Sequence, residues 1–167
     1  MINKNSALWS YLSEGQKGLI ETGEFLLADA KDHQKPISDF SYIVFPIAKA
    51  YEGFLKQLFL DMGFISKEQY ESDRFRVGRE LNPNFAKERP DISVYLKIVK
   101  YCNGQELADN LWNAWKRGRN LLFHYFPHNQ LKVTLESAEE AINLIISAME
   151  QSFASCNPSQ KYATVNT

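Results

Sequence analysis

Arg119 and His124 lie five residues apart in Lys116-Arg117-Gly118-Arg119-Asn120-Leu121-Leu122-Phe123-His124-Tyr125. An imidazole takes or gives a proton near neutral pH, and a guanidinium neutralises phosphate oxygens bidentately. Together the two groups can cleave RNA without a metal. The imidazole deprotonates a ribose 2′-hydroxyl or protonates the leaving 5′-oxygen, while arginine steadies the charge gathering on phosphorus. On a regular helix the pair is about 140° apart around the axis and roughly 7–8 Å along it, so two long side chains can converge on one phosphate. No Asp or Glu occurs between Asp109 and Glu136, which makes the segment a basic island. Trp112, Trp115, Tyr125 and Phe126 around it can stack bases. The plainer alternative puts Trp112, Trp115 and Phe123 in the core and the arginines in solvent.

Other chemistries lack their residues. The chain has no Gly-rich phosphate loop, no His-Glu-x-x-His, no paired Cys motif and no nucleophile elbow. His124 and His128 have the (i, i+4) spacing of a metal pair, but Pro127 between them ends any helix, and no further ligand is near in sequence. No metal and no cofactor is therefore expected. With a formal net charge of −1 over 167 residues, nucleic-acid contact must come from a local patch. Cys102 and Cys156 are far apart and in no ligand spacing, so reduced thiols in a cytoplasmic protein are the expectation. The N-terminus lacks an apolar secretory core, and no apolar run approaches the ~20 residues of a membrane span.

The elements that must position these side chains read as helices. At 44% apolar and 13% aromatic residues the chain can bury a core. Residues 1–36 predict one or two helices ending before His33-Gln34-Lys35-Pro36. Residues 38–62 predict the strongest helix, with an apolar stripe from Phe40 to Met62, Ser38 or Asp39 as cap, a bend or late start at Pro46, and Gly63 as the left-handed stop. Lys49 and Glu52 stand one turn apart on it, as a solvated ion pair or a polar pair aimed into a cleft. Residues 66–90 mix both charges and predict a solvated short helix and a loop, with Asn82-Pro83-Asn84 as a turn and Arg74, Arg76 and Arg79 as further RNA contacts. A short amphipathic helix follows over 91–102, then an Asn103-Gly104 turn and a helix over 105–126 that Pro127 breaks. Gly118 costs that helix about 1 kcal/mol against alanine, which points to close approach of a backbone or a nucleotide. Ser137 and Glu140 form a capping box for the last helix. The expectation is all-α: a bundle of four or five helices in one domain over 1–156, with 1–36 as an N-terminal segment, 38–155 as the core and 157–167 as a flexible tail.

Arg119-Asn120-Leu121-Leu122-Phe123-His124 resembles the Arg-x4–6-His motif of HEPN domains, including the polar residue commonly found directly after the arginine. Arg117 fits at the long end of that spacing. Within the superfamily the chain is similar, over roughly residues 38–155, to the toxin domain of RNase LS (RnlA-type) toxins. There a basic residue and a glutamate sit one turn apart on an early helix, where this chain has Lys49 and Glu52. The resemblance implies a metal-independent endoribonuclease acting as a homodimer, with one composite site across a two-fold cleft. It also implies 2′,3′-cyclic phosphate and 5′-hydroxyl products, a toxin or antiphage role, and a cognate antitoxin.

Carried over by position, His124 is the acid/base, Arg119 the phosphate ligand, and Glu52 with Lys49 the supporting pair. Asn120 orients its neighbours, while Lys116, Arg117 and Tyr125 complete the RNA-binding set. Three departures stand out. The chain is short of the extra N-terminal domains of RnlA-type toxins, so a stand-alone domain is expected. Lysine replaces an expected arginine at position 49. Phe126 occupies the place where related toxins often carry a modifiable tyrosine, with Tyr125 one residue early, which argues against silencing by tyrosine modification. Two alternatives use the same residues: a catalytically inactive HEPN module that binds RNA or a partner protein, and a helical adaptor in which Arg119 and His124 are plain surface residues.

Overall fold

Apolar spacing of three and four residues becomes helix in the long amphipathic stretches. The computed structural model describes residues 1–33, 36–102 and 104–156. The fold is all-α, and every regular element among the described residues is helical. In order these are α1 (Ala7–Tyr11), α2 (Glu14–His33), α3 (Ser41–Asp61), α4 (Lys67–Glu71), α5 (Val77–Glu80), α6 (Pro83–Glu88), α7 (Val94–Tyr101), α8 (Gln105–Trp115) and α9 (Leu135–Cys156). These are more than the expected four or five: residues 1–36 form two helices, and residues 66–90, read as one short helix and a loop, form three short ones. Asn82-Pro83-Asn84 is not a free turn. Asn82 caps α6 by accepting from the Asn84 amide, and Pro83 takes the first helical position, where a missing N–H costs nothing. The Asn103 half of the expected Asn103-Gly104 turn and the expected loose tail at 157–167 lie outside the described residues. No described helix is long and apolar enough to cross a membrane.

The described chain forms two compact units, Met1–Tyr51 with Ala114–Ser147 and Glu52–Asn113 with the part of α9 from Ala148. In the first, α2 meets α3 at Gly23, where an added Cβ would run into the Ile47 side chain and come within 3.5 Å of the Ile43 carbonyl. Asp39 caps α3 as expected: Oδ1 accepts from the Ser41 amide at 2.8 Å, while Oδ2 accepts from the Val133 amide at 3.1 Å. The Phe40 amide donates to the Val133 carbonyl at 2.9 Å, so the stretch before α9 is pinned to the start of α3. α3 begins five residues ahead of Pro46 and runs through it, so the late start does not occur. Gly63 closes it at φ +67°.

The second unit holds a feature contrary to the sequence expectation. Cys102 and Cys156 form a disulfide, with Cα atoms 4.5 Å apart and both residues buried. Cys102 ends α7 and Cys156 ends α9, so two elements 54 residues apart in sequence bring together thiols that no local spacing could pair. In the same unit the buried Glu80 is paired with Arg79 at 2.8 Å, and that guanidinium also lies 5.2 Å from the Phe85 ring. Arg79 thus has a structural partner while its side chain stays exposed.

Tyr95, buried on α7, donates its hydroxyl proton to Asp109 Oδ1 at 2.6 Å. Burial first, then the Asp109 carboxylate, pushes its pKa up to about 12. The folded state thus favours the neutral phenol. Its contribution to stability is fully present below pH 10 and is lost as pH climbs toward about 12. Ultraviolet titration should find Tyr95 among the last tyrosines to ionise. Asp109→Asn should bring its midpoint down; an unchanged midpoint would show that the carboxylate contributes nothing.

Candidate active site at the end of α8

The regular helix that carries Arg119 and His124 in the sequence reading stops at Trp115. Lys116–Asn120 form a π-helical turn, Leu121–Phe123 a 3-10 turn, and His124 is extended at φ −95°, ψ 129°. The angular offset expected for an α-helix therefore does not apply here: the wide turn and the tight turn that follows it reset the direction of every side chain after Lys116. π-turns recur at functional sites, where they re-aim side chains at the cost of regular hydrogen bonding.

Gly118 lies within the π-turn. It is buried, and a Cβ built on it would sit 2.7 Å from Ile145 Cγ1 and 2.9 Å from Cδ1, with the Ala141 carbonyl at 3.6 Å. The glycine thus admits α9, not a nucleotide. Ile145 is fully buried and has little room to yield. Gly118→Ala is expected to lower stability by about 1–3 kcal/mol through overpacking, outweighing the ~1 kcal/mol propensity gain. Ile145→Val in the same chain should return part of the loss. Urea unfolding of the three proteins measures this, and a neutral Gly118→Ala would show that Ile145 can rotate away.

Two side chains of the motif are held by neighbours in the same segment. His124 Nε2 lies 3.1 Å from Asn120 Oδ1. With the amide oxygen accepting, Nε2 carries the hydrogen and Nδ1 keeps the lone pair that a base needs. The Arg119 guanidinium stacks over the Trp115 ring at 4.5 Å from its centroid, and Trp115 itself is buried, 6.4 Å from Tyr51. Such a cation–π contact is worth about 0.5–2 kcal/mol. Trp115 is consequently a core residue and a platform for arginine, not a base-stacking surface.

The remaining candidates are distributed unequally. Lys116 and Asn120 are exposed, and Tyr125 is 79% exposed. Phe123, expected on the buried side of the helix, is 38% exposed and packs edge-on against Phe45, itself 56% exposed, at 5.6 Å. Arg117 points elsewhere. It lines a cavity of about 490 Å³ with Leu121, Leu122, Lys132, Glu140 and Leu144. Lys49 is exposed and Glu52 half-buried, one turn apart on α3, and the boundary between the two units falls between them. Arg74 and Arg76 are exposed in the second unit.

The expected capping box also moves. Thr134, not Ser137, caps α9: its Oγ1 accepts from the Ser137 amide at 3.1 Å, and the Ser137 hydroxyl donates to the Thr134 carbonyl at 3.0 Å. Glu140 is thereby left out of the cap and lines the cavity with Ser137. Sequence reasoning missed this cavity. Its signal was the apolar and basic Leu131-Lys132-Val133 run just before the last helix.

Among the described residues no group of three or more His, Cys, Asp or Glu could hold a metal. His128 follows at φ 59°, a left-handed backbone that an imidazole adopts at some cost, and is exposed. The arrangement offers an exposed imidazole oriented by an amide, a guanidinium locked by stacking, and no carboxylate between Asp109 and Glu136. Compared with known proteins, the chain matches no family model, no curated protein and no solved structure.

Proposed function

We propose that the chain is a metal-independent endoribonuclease of the HEPN type, a toxin or antiphage effector. It cuts cytoplasmic RNA through a site completed by a second copy and is held in check by a cognate antitoxin. The observation that carries this reading is the His124–Asn120 contact, with Arg119 over the Trp115 ring in the same short segment, whose sequence holds no Asp or Glu between Asp109 and Glu136. His124 Nδ1 removes the 2′-hydroxyl proton. The 2′-oxygen bonds to phosphorus, the P–O5′ bond breaks, and an imidazolium from the second copy returns a proton to the 5′-oxygen. Arg119 holds the phosphate oxygens as charge builds. Lys49 and Glu52 are the supporting polar pair in this reading, while Lys116, Asn120 and Tyr125 flank the strand.

The exposed Phe45–Phe123 pair and Tyr125 give a second copy an aromatic surface to cover. The Cys102–Cys156 bond weighs against the cytoplasmic part of this reading, because a reducing cytoplasm keeps thiols reduced and disulfides are rare there. The test is RNA cleavage in excess EDTA with end-group analysis of the products. Cyclic phosphate and 5′-hydroxyl ends are expected. Intact RNA bound by the protein would favour the inactive RNA-binding module.

A further inference from the structure

The cavity beside Arg117 lies wholly within the first unit, between the π-turn, the segment 130–133 and the first turns of α9. At about 490 Å³ it falls in the range of small-molecule sites, roughly 300–1,000 Å³. Leu121, Leu122 and Leu144 supply apolar lining. Three charged groups line the same space, Arg117, Lys132 and Glu140. No hydrogen bond or ion pair among the described residues engages any of the three. Their signs define the occupant. The two cations suit a phosphate, whereas a carboxylate on the wall needs a donor edge in front of it and disfavours a simple fatty or aromatic acid. Guanine presents N1–H and N2–H side by side, two donors at the spacing of the two oxygens of a carboxylate.

We propose that this cavity binds one guanine nucleotide of the RNA strand, with the base between the leucines, its Watson–Crick edge on Glu140 and its phosphate on Arg117 and Lys132. The strand part of the proposal rests on the ribonuclease reading; the nucleotide site itself does not. Arg117 and Arg119 then divide the work. Arg119 serves the phosphate being cut and Arg117 serves a neighbouring nucleotide, so the site selects sequence without a contact from the catalytic histidine.

Isothermal titration of the wild-type protein with 5′-GMP, IMP, AMP, CMP and UMP tests the site. GMP should bind about tenfold or more tightly than AMP, with IMP, which lacks the N2 amino group, in between. Glu140→Gln should bring the GMP-to-AMP ratio close to one. Arg117→Ala should weaken GMP but leave guanosine unaffected, and Leu122→Trp should fill the cavity and abolish binding. Equal affinity for all five nucleotides, or GMP binding undiminished in Glu140→Gln, overturns the proposal. Because Glu140 and Arg117 are exposed, those two variants decide even if Leu122→Trp fails to fold.

A single-guanine oligonucleotide should compete with GMP; failure to compete overturns the strand assignment in favour of a free nucleotide. RNA cleavage that is lost in His124→Ala, by a wild type indifferent to GMP, overturns this site and leaves the nuclease. Selective GMP binding by a protein that cuts no RNA does the reverse.

Discussion

His124→Ala is expected to lower the RNA cleavage rate about 10²–10⁴-fold, the usual range for removing a positioned general acid or base, or about 3–5 kcal/mol of barrier. The loss should appear in kcat with little change in KM, because the imidazole acts on protons in flight and supplies little ground-state binding. EDTA should change neither the wild-type rate nor the variant's. The argument rests on position: His124 ends a segment whose last turns are not α-helical, so its ring leaves the helix surface and meets Asn120 Oδ1 at 3.1 Å. Nothing in that contact serves stability strongly, since both residues are exposed and such a hydrogen bond nets about 0.5–1.5 kcal/mol. A large activity loss with an unchanged melting temperature is therefore the diagnostic combination. An RNA-cutting His124→Ala protein at the wild-type rate would sink the nuclease mechanism.

Reduction of the Cys102–Cys156 bond is the second large effect. Closing a loop with a sequence separation of 54 removes unfolded-state entropy worth about 4 kcal/mol in the chain-entropy account. For a chain of this size that corresponds to a melting temperature lower by about 8–16 °C. Oxidised protein unfolded in denaturant should show no titratable thiol, and two after reduction. The Cys102→Ser, Cys156→Ser double variant should melt like the reduced protein. Two reactive thiols in the unreduced, unfolded chain would show that the bond does not form, and equal melting of the oxidised and reduced forms would show that it contributes nothing. The bond lies in the second unit and Arg119 and His124 in the first, so the measurement is independent of the activity test.

Much was legible from spacing alone. The stripe from Phe40 to Met62 specified α3, with Asp39 as its cap and Gly63 at φ +67° as its stop, because these signals act within a few residues and need no partner. The shortage of acid in sequence around Arg119 was equally local. Where local rules competed, the prediction slipped. Ser137 and Glu140 satisfied the capping pattern, yet Thr134 starts α9, since Val133 is tied to Asp39 and Phe40 and the helix can begin as soon as that pairing ends.

The sequence by itself therefore determined an all-α chain and the cap and stop of α3, and it offered Arg119 and His124 as candidates for chemistry. Tertiary structure decided what those residues face. The packing of Ile145 against Gly118 accompanies a π-turn where propensity continued an α-helix, and that turn sends Arg119 onto Trp115 and Arg117 into a cavity. It also joined Cys102 to Cys156. None of these could be read from spacing, because each depends on the shape of an element distant in sequence, whereas periodicity reports only which way a side chain leaves a regular helix.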